Sequence, residues 1–308
     1  MRIYSESRVE PAEIDNLGHM NVRVYARKAA RGTLNMAAHL GLGFDRLRDM
    51  KAVVEIRDVH TRFYREQLEG APLAVRGGVR QAGPDRIDAY MEMFNRDTGD
   101  VAATFNHGFG LFDGAARTPI DMPQDVLDAA EAAAIDWPER GRPRSLPIEP
   151  VTPIARAAAQ EQGSFVRFPS YTIEAAECDG YGLMDISDAK TVALARMPIK
   201  IKLQHRVFDP EVAQRVAIAT MESRHVMFRV PRLGEPVVSE TRHADVTAKT
   251  VVFQHWSYNE QTGEPISLGL QFGLAFDLDK RRSAEFPPKM REALAANRRP
   301  DIRDQAAE

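Results

Sequence analysis

The sequence predicts an α+β protein made of two tandem copies of one unit, each an antiparallel sheet wrapped around a long central helix. Three observations predict it: a length suited to two domains, an internal repeat in one register, and a change of hydrophobic period inside each copy. At 308 residues the chain exceeds the roughly 100–200 residues of an ordinary domain.

The repeat decides the architecture, because a missed duplication misassigns the whole chain. Ala12, Glu13, Asp15, Gly18 and Met20 recur 164 positions later as Ala176, Glu177, Asp179, Gly182 and Met184. The same shift carries Arg65, Gly70 and Pro72 onto Arg229, Gly234 and Pro236. It also carries Asn95, Thr98, Gly99, Phe112 and Asp113 onto Asn259, Thr262, Gly263, Phe276 and Asp277. Identities gathered into DxxGxM, GxP and NxxTG in a single register mark a duplication.

In the first copy a short strand near residues 2–10 leads into an amphipathic helix from Val22 to Leu40. Tyr25, Ala29, Met36 and Leu40 recur near helical spacing, and Gly41 supplies the stop. Gly32 inside that helix costs about 1 kcal/mol against alanine, which points to close packing. The period then becomes two. Stretches 53–67, 72–82, 86–94 and 101–112 read as strands, with Asn95–Gly99 as a hairpin turn. In the last of these, Val101, Ala103, Phe105, His107, Phe109 and Leu111 share one face. Domain boundaries follow: 1–116 for the first copy, 165–290 for the second and 291–308 for a charged tail. Between the copies, 117–164 reads as an Ala- and Pro-rich linker with a short helix near 124–134.

Composition narrows the function. With 41 basic against 44 acidic residues and a net charge of -3, there is no global field to draw nucleic acid or an anionic membrane. The single cysteine, Cys178, excludes an internal disulfide and a multi-cysteine zinc site, and fits a reducing cytoplasm. The opening MRIYSESRVE has no apolar run for a signal peptide or a span, so a cytoplasmic chain is expected. Glycine-rich phosphate loops, a dinucleotide fingerprint and a nucleophile elbow are all missing, and no metal or cofactor is expected.

The chemistry-bearing residues cluster before the long helix. Asp15-Asn16-Leu17-Gly18-His19-Met20-Asn21, followed by Tyr25, resembles the D-x-x-G-H-x-N-x-x-x-Y signature of hotdog-fold thioesterases of the 4-hydroxybenzoyl-CoA and acyl-ACP kind. The likeness spans roughly residues 1–115, with the second copy showing it more weakly. It implies two tandem hotdog domains forming an intrachain pseudo-dimer, with such chains pairing further into homo-oligomers. It also implies hydrolysis of an acyl-CoA or acyl-ACP thioester by an acidic residue without a metal. Glu66, in Phe63-Tyr64-Arg65-Glu66-Gln67, is similar to the acidic residue in the Y-R-R-E-C strand of plant acyl-ACP thioesterases. Where those enzymes carry Asn two residues after the Asp, this chain has Leu17, so the simpler scheme of an Asp and backbone amides fits better.

Physical reasoning points to the same place. Attack on a thioester carbonyl needs a base or nucleophile and donors for the oxyanion. Asp15 is the candidate base or nucleophile, His19 and Asn21 orient it or its water, and Glu66 is a second acid or base. Backbone N–H groups of a first helical turn are unpaired, so Asn21 to Val24 can supply the donors. Gly18, Val22, Arg23 and Tyr25 are candidate substrate contacts. Arg62 and Arg65, with Arg76 and Arg80, form either a solvated strand face or a phosphate-binding cluster. His60 and His107 read as structural.

Each polar residue also has a plain structural reading, since Asp or Asn before a helix is an ordinary cap and Gly an ordinary turn residue. The second copy weighs against that reading. The positions of His19, Asn21, Tyr25 and Glu66 hold Leu183, Asp185, Ala189 and Val230 there, while the turn residues persist. Residues needed only by the fold would persist in both copies, so the first copy is read as the functional one. Two rivals remain: a non-catalytic acyl-thioester-binding protein, and a hotdog hydratase or dehydratase. The latter carries Asp and His five apart in D-x-N-P-x-H, against four apart here.

Overall fold

The computed structural model describes residues 1–15, 18–161, 166–167, 170–180, 182–184 and 216–296. The expected second-copy helix, after Met184, lies outside the described residues. The chain forms two compact units, the first comprising Met1–Pro143 and the second beginning at Arg144.

In unit 1, β1 (Arg2–Arg8) leads through a loop to the helix α1 (Val22–His39), followed by α2 (Phe44–Met50) and four long strands. These are β2 (Ala52–Phe63), β3 (Pro72–Ala82), β4 (Ile87–Asn95) and β5 (Val101–Asp113). The antiparallel sheet runs β1-β3-β4-β5-β2. The apolar stripe of α1, including Val24, Tyr25, Ala29 and Met36, packs with Val75, Met91, Met93, Ala103 and Phe105 in one core. Gly32 is where helix and sheet approach closely: a Cβ there would sit 2.8 Å from Val75 Cγ1. Past the cap residue Leu40, Gly41 adopts φ +107, the left-handed stop its position predicts. His107 shares a hydrogen bond with Thr33 of α1 (2.7 Å), and His60 shares one with Asn106 (3.2 Å).

The first copy extends past its expected end at residue 116. After β6 (Pro119–Ile120), α3 (Gln124–Ala132) buries Val126 and Ala130 in the unit 1 core, beside Met122. The following residues lie across the opposite face of the sheet. There Arg62 donates to the carbonyls of Arg140 and Arg142, and Asn106 to that of Gly141. The proline-rich stretch is thus a packed strap rather than a free linker: its prolines extend it, and strand side chains satisfy its carbonyls.

Unit 2 repeats this plan. Its strap carries α4 (Arg156–Glu161) and the short strands β7 (Val166–Arg167) and β8 (Tyr171–Thr172). The sheet order is β9 (Val216–Met227), β12 (Pro265–Asp277), β11 (Thr250–Asn259), β10 (Pro236–Val246) and β7. Glu222, buried under the strap, accepts backbone N–H groups from Arg144, Ser145 and Leu146, and Arg224 donates to the Pro147 and Glu149 carbonyls. After β13 (Arg282–Ser283), α5 (Pro288–Ala296) places Met290 and Leu294 at the positions equivalent to Val126 and Ala130. The second copy therefore runs through α5 instead of ending at 290. Both NxxTG turns close alike: Asn95 and Asn259 side chains each accept two turn N–H groups, and Gly99 and Gly263 adopt φ +74 and +72. No described helix is long and apolar enough to cross a membrane.

Candidate active site

Asp15 and His19 face each other across a tight turn. The Asp15 N–H donates to the His19 carbonyl (2.9 Å), and the Gly18 N–H donates to the Asp15 carbonyl (3.0 Å). Gly18 has φ +82, the left-handed conformation that favours glycine, and an Ile14–Met20 bridge closes the neck. Two further bonds seat the turn: Met20 N–H to the Gln67 carbonyl (2.8 Å) and Asn21 N–H to the Glu13 carbonyl (2.9 Å).

Unit 2 contains the same turn. Asp179 N–H meets the Leu183 carbonyl, Gly182 N–H meets the Asp179 carbonyl, and Met184 N–H reaches Pro231, the equivalent of Gln67. Asp179 there also accepts the Leu183 N–H on its carboxylate at 3.2 Å. The backbone device is common to both copies, whereas the imidazole belongs to unit 1.

That imidazole lies between two carboxylates. Nδ1 of His19 is 3.7 Å from Asp15 Oδ2, and Nε2 is 3.6 Å from Glu66 Oε1. The three side chains differ in access: Asp15 and His19 are 16% and 17% exposed, Glu66 46%. Glu66 does not lie in a strand, as its sequence context suggested. The Tyr64 and Arg65 N–H groups both donate to the Ala102 carbonyl (2.9 and 3.2 Å), so the ladder slips at the end of β2 and the chain peels away. This peeling brings Glu66 to His19.

The other predicted residues take distinct positions. Asn21 caps α1, its Oδ1 accepting the Arg23 N–H at 3.0 Å, while the Val24 N–H returns to the Asn21 carbonyl at 2.8 Å. Of the first-turn amides proposed as oxyanion donors, that of Val22 alone has no acceptor among the described residues. Tyr25 is buried instead of lining a substrate groove. Its hydroxyl donates to the Arg65 carbonyl at 3.0 Å, and its ring meets Phe63 edge-on. Burial raises the pKa of its phenol; the Gln67 backbone opposes the shift, and the charges of Glu66 and Asp15 add to it. Arg23 is exposed on α1. Arg65 is exposed beside the site, 3.6 Å from Asp100.

The arginines do not gather into a phosphate cluster. Arg62 holds the strap, Arg76 pairs with the buried Glu92, and Arg80 stacks on Trp137 at 3.8 Å. Sequence reasoning missed Gln67, a buried residue whose side-chain oxygen accepts from Asn95 (3.0 Å) while its carbonyl anchors the turn. The available signal was the contrast between Gln67 and Pro231 at equivalent positions. No group of three or more His, Cys, Asp or Glu among the described residues is placed to hold a metal ion.

A family model described as the thioesterase-like superfamily matches residues 9–130 and 187–294. No curated protein matches the sequence. Among solved structures, the chain is similar to a 12:0-ACP thioesterase from Umbellularia californica, with 12% identity and a TM-score of 0.65 over 88% of this chain and 93% of that one. It is also similar to an acyl-ACP thioesterase from Bacteroides thetaiotaomicron, with 11% identity and a TM-score of 0.58 over 87% and 96%. Identities this low carry the fold, a hotdog-like arrangement with an antiparallel sheet.

Proposed function

The chain belongs to the thioesterase-like superfamily, and from that premise we propose that it is an acyl-CoA thioesterase whose active site lies in unit 1 at Asp15. The observation that carries this reading is the His19 imidazole held between the Asp15 and Glu66 carboxylates, on a turn that unit 2 builds with Asp179 but with Leu183 and Val230 in place of the imidazole and the second carboxylate.

Asp15 is recessed, which suits a carboxylate that works through a water better than one that must itself reach a carbonyl carbon. In the proposed reaction Asp15 takes a proton from water as the water oxygen attacks the thioester carbonyl. The carbonyl oxygen gains the negative charge and is met by the Val22 N–H at the positive end of α1. Collapse breaks the C–S bond, giving the free acid and the CoA thiolate. His19 relays the proton from Asp15 toward the more exposed Glu66. Separations of 3.6–3.7 Å exceed a hydrogen bond and close on substrate binding or through a water, as catalytic contacts in free enzymes commonly do.

The test is thiol release from a panel of short, long, aromatic and polar acyl-CoAs, with carrier-protein thioesters of the same acyl groups alongside. Turnover by the native protein, lost in folded Asp15→Asn, supports the reading. Binding without thiol release from any substrate would replace it with that of a thioester-binding protein.

A further inference from the structure

The two sheets carry the same fold but different chemistry on equivalent faces. In unit 1 the face under α1 is apolar apart from Thr61 and His107, with one rung reading Val75, Met93, Ala103 and Phe63 across four paired strands. The equivalent rung of unit 2 reads Ser239, Ser257, Ser267 and Met227. The next rung, Gly77, Met91, Phe105 and Thr61 in unit 1, becomes Thr241, His255, Gly269 and His225. His243 replaces Val79 beyond them.

All these hydroxyls and imidazoles are buried. Burying a polar group where an apolar one fits is costly unless it is hydrogen-bonded, so each group exchanged at these consecutive rungs needs a partner. Some groups satisfy one another: Ser239 and Ser257 oxygens lie 3.1 Å apart, and Thr241 Oγ1 is 2.6 Å from His255 Nδ1. Ser267, fully buried, has no hydrogen-bond partner for its hydroxyl among the described residues. Gly269 sits between the two histidines: a Cβ there would meet His225 Cδ2 at 3.5 Å and His255 Cβ at 3.6 Å. It brings no side chain where unit 1 places the Phe105 ring.

The serine and threonine hydroxyls on these rungs are uncharged donors and acceptors, and burial keeps His243, beyond them, neutral at physiological pH. We propose that this face of unit 2 is a binding site, separate from the Asp15 site, for an uncharged small molecule bearing hydroxyl or carbonyl oxygens, held by the serine rung and by His225 and His255. The proposal does not depend on thioester hydrolysis.

The test uses full-length protein with 13C-labelled histidines, titrated with 3-hydroxyoctanamide and with octanamide, which differ by one hydroxyl. The hydroxylated amide is expected to shift the His225 and His255 ring resonances saturably, with at least about tenfold tighter binding than octanamide, because a site built for a hydroxyl rejects the analogue lacking it. Ser267→Ala, which installs the residue of unit 1, is expected to weaken that binding about tenfold while leaving the melting temperature unchanged or higher. Failure of either amide to shift these resonances, equal affinity for both, or a Ser267→Ala protein that melts lower with unchanged binding would overturn the proposal and leave the polar face as internal structure.

Discussion

His19 faces Asp15 at 3.7 Å across a turn whose backbone hydrogen bonds recur around Asp179 and Leu183 in unit 2. The turn therefore does not need the imidazole to form, and function and folding can be separated by mutation. Asp15→Asn and His19→Leu are expected to keep the native melting temperature within about 2 °C. Loss of a positioned general base costs on the order of 100- to 10,000-fold in kcat, and Asp15→Asn should fall in that range. Thiol-release kinetics beside thermal melts check both. Near-native kcat in folded Asp15→Asn would remove Asp15 from the chemistry.

The water route makes a separate isotopic statement. In single turnover in 18O-water, label is expected in the released acid and none in Asp15. Mass spectrometry of the peptide containing Asp15 reads this directly, and label appearing in Asp15 would mean that the carboxylate attacks the carbonyl itself.

The Tyr25 hydroxyl holds the Arg65 carbonyl beside Glu66, so Tyr25 is expected to act on Glu66 through the backbone. Tyr25→Phe removes that donor, and a lost hydrogen bond of this kind costs roughly 1 kcal/mol of stability. The sharper expectation is coupling. Tyr25→Phe and Glu66→Gln should each slow turnover, but the double variant should be no slower than Glu66→Gln alone. Additive losses in the cycle would show that Tyr25 contributes independently of Glu66.

Much of this was legible in the sequence, for reasons that also explain the rest. Strands β3 to β5 matched their expected spans within a residue, because alternation and the Asn95–Gly99 turn are local signals. The approach of Glu66 to His19 was not legible, since it depends on two N–H groups sharing the Ala102 carbonyl, and strand patterning carries no trace of that slip. The ends of both copies were misplaced because α3 and α5 share apolar spacing rather than identities: Met122, Val126 and Ala130 against Phe286, Met290 and Leu294. The polar residues before α1 were legible as a motif, and the contrast between the copies then set His19, Asn21, Tyr25 and Glu66 apart from the turn residues. The same contrast, applied to Val75 and Ser239, would have exposed the polar face of unit 2 before any coordinates.

Gly32 tests the fit of helix to sheet. Alanine is favoured over glycine in a helix by about 1 kcal/mol, yet a Cβ here would stand 2.8 Å from Val75 Cγ1. Overpacking a dense core costs roughly 1–3 kcal/mol, so Gly32→Ala is expected to lower stability. Pairing it with Val75→Ala should recover part of the loss. Urea unfolding of the single and double variants decides, and a more stable Gly32→Ala would show that the helix can shift away from β3.

His243 gives unit 2 a defined pH response. It is buried on β10 against the ring of Phe253, with the Leu294 carbonyl of α5 at its side. Burial depresses its pKa from an ordinary 6.5 to about 4, only partly opposed by that carbonyl. Between those values the unfolded chain binds a proton that the folded one does not. The neutral imidazole is therefore compatible with full stability above about pH 6.5, and stability falls as pH drops toward 4, by at most about 3 kcal/mol. Trp256 lies in unit 2, and in a Trp137→Phe background its fluorescence follows that unit alone. Denaturant midpoints at pH 7, 6 and 5 are expected to decline in this background. Adding His243→Val, the residue unit 1 carries at the equivalent position, should flatten the decline, and an unchanged slope would assign the acid sensitivity to other groups.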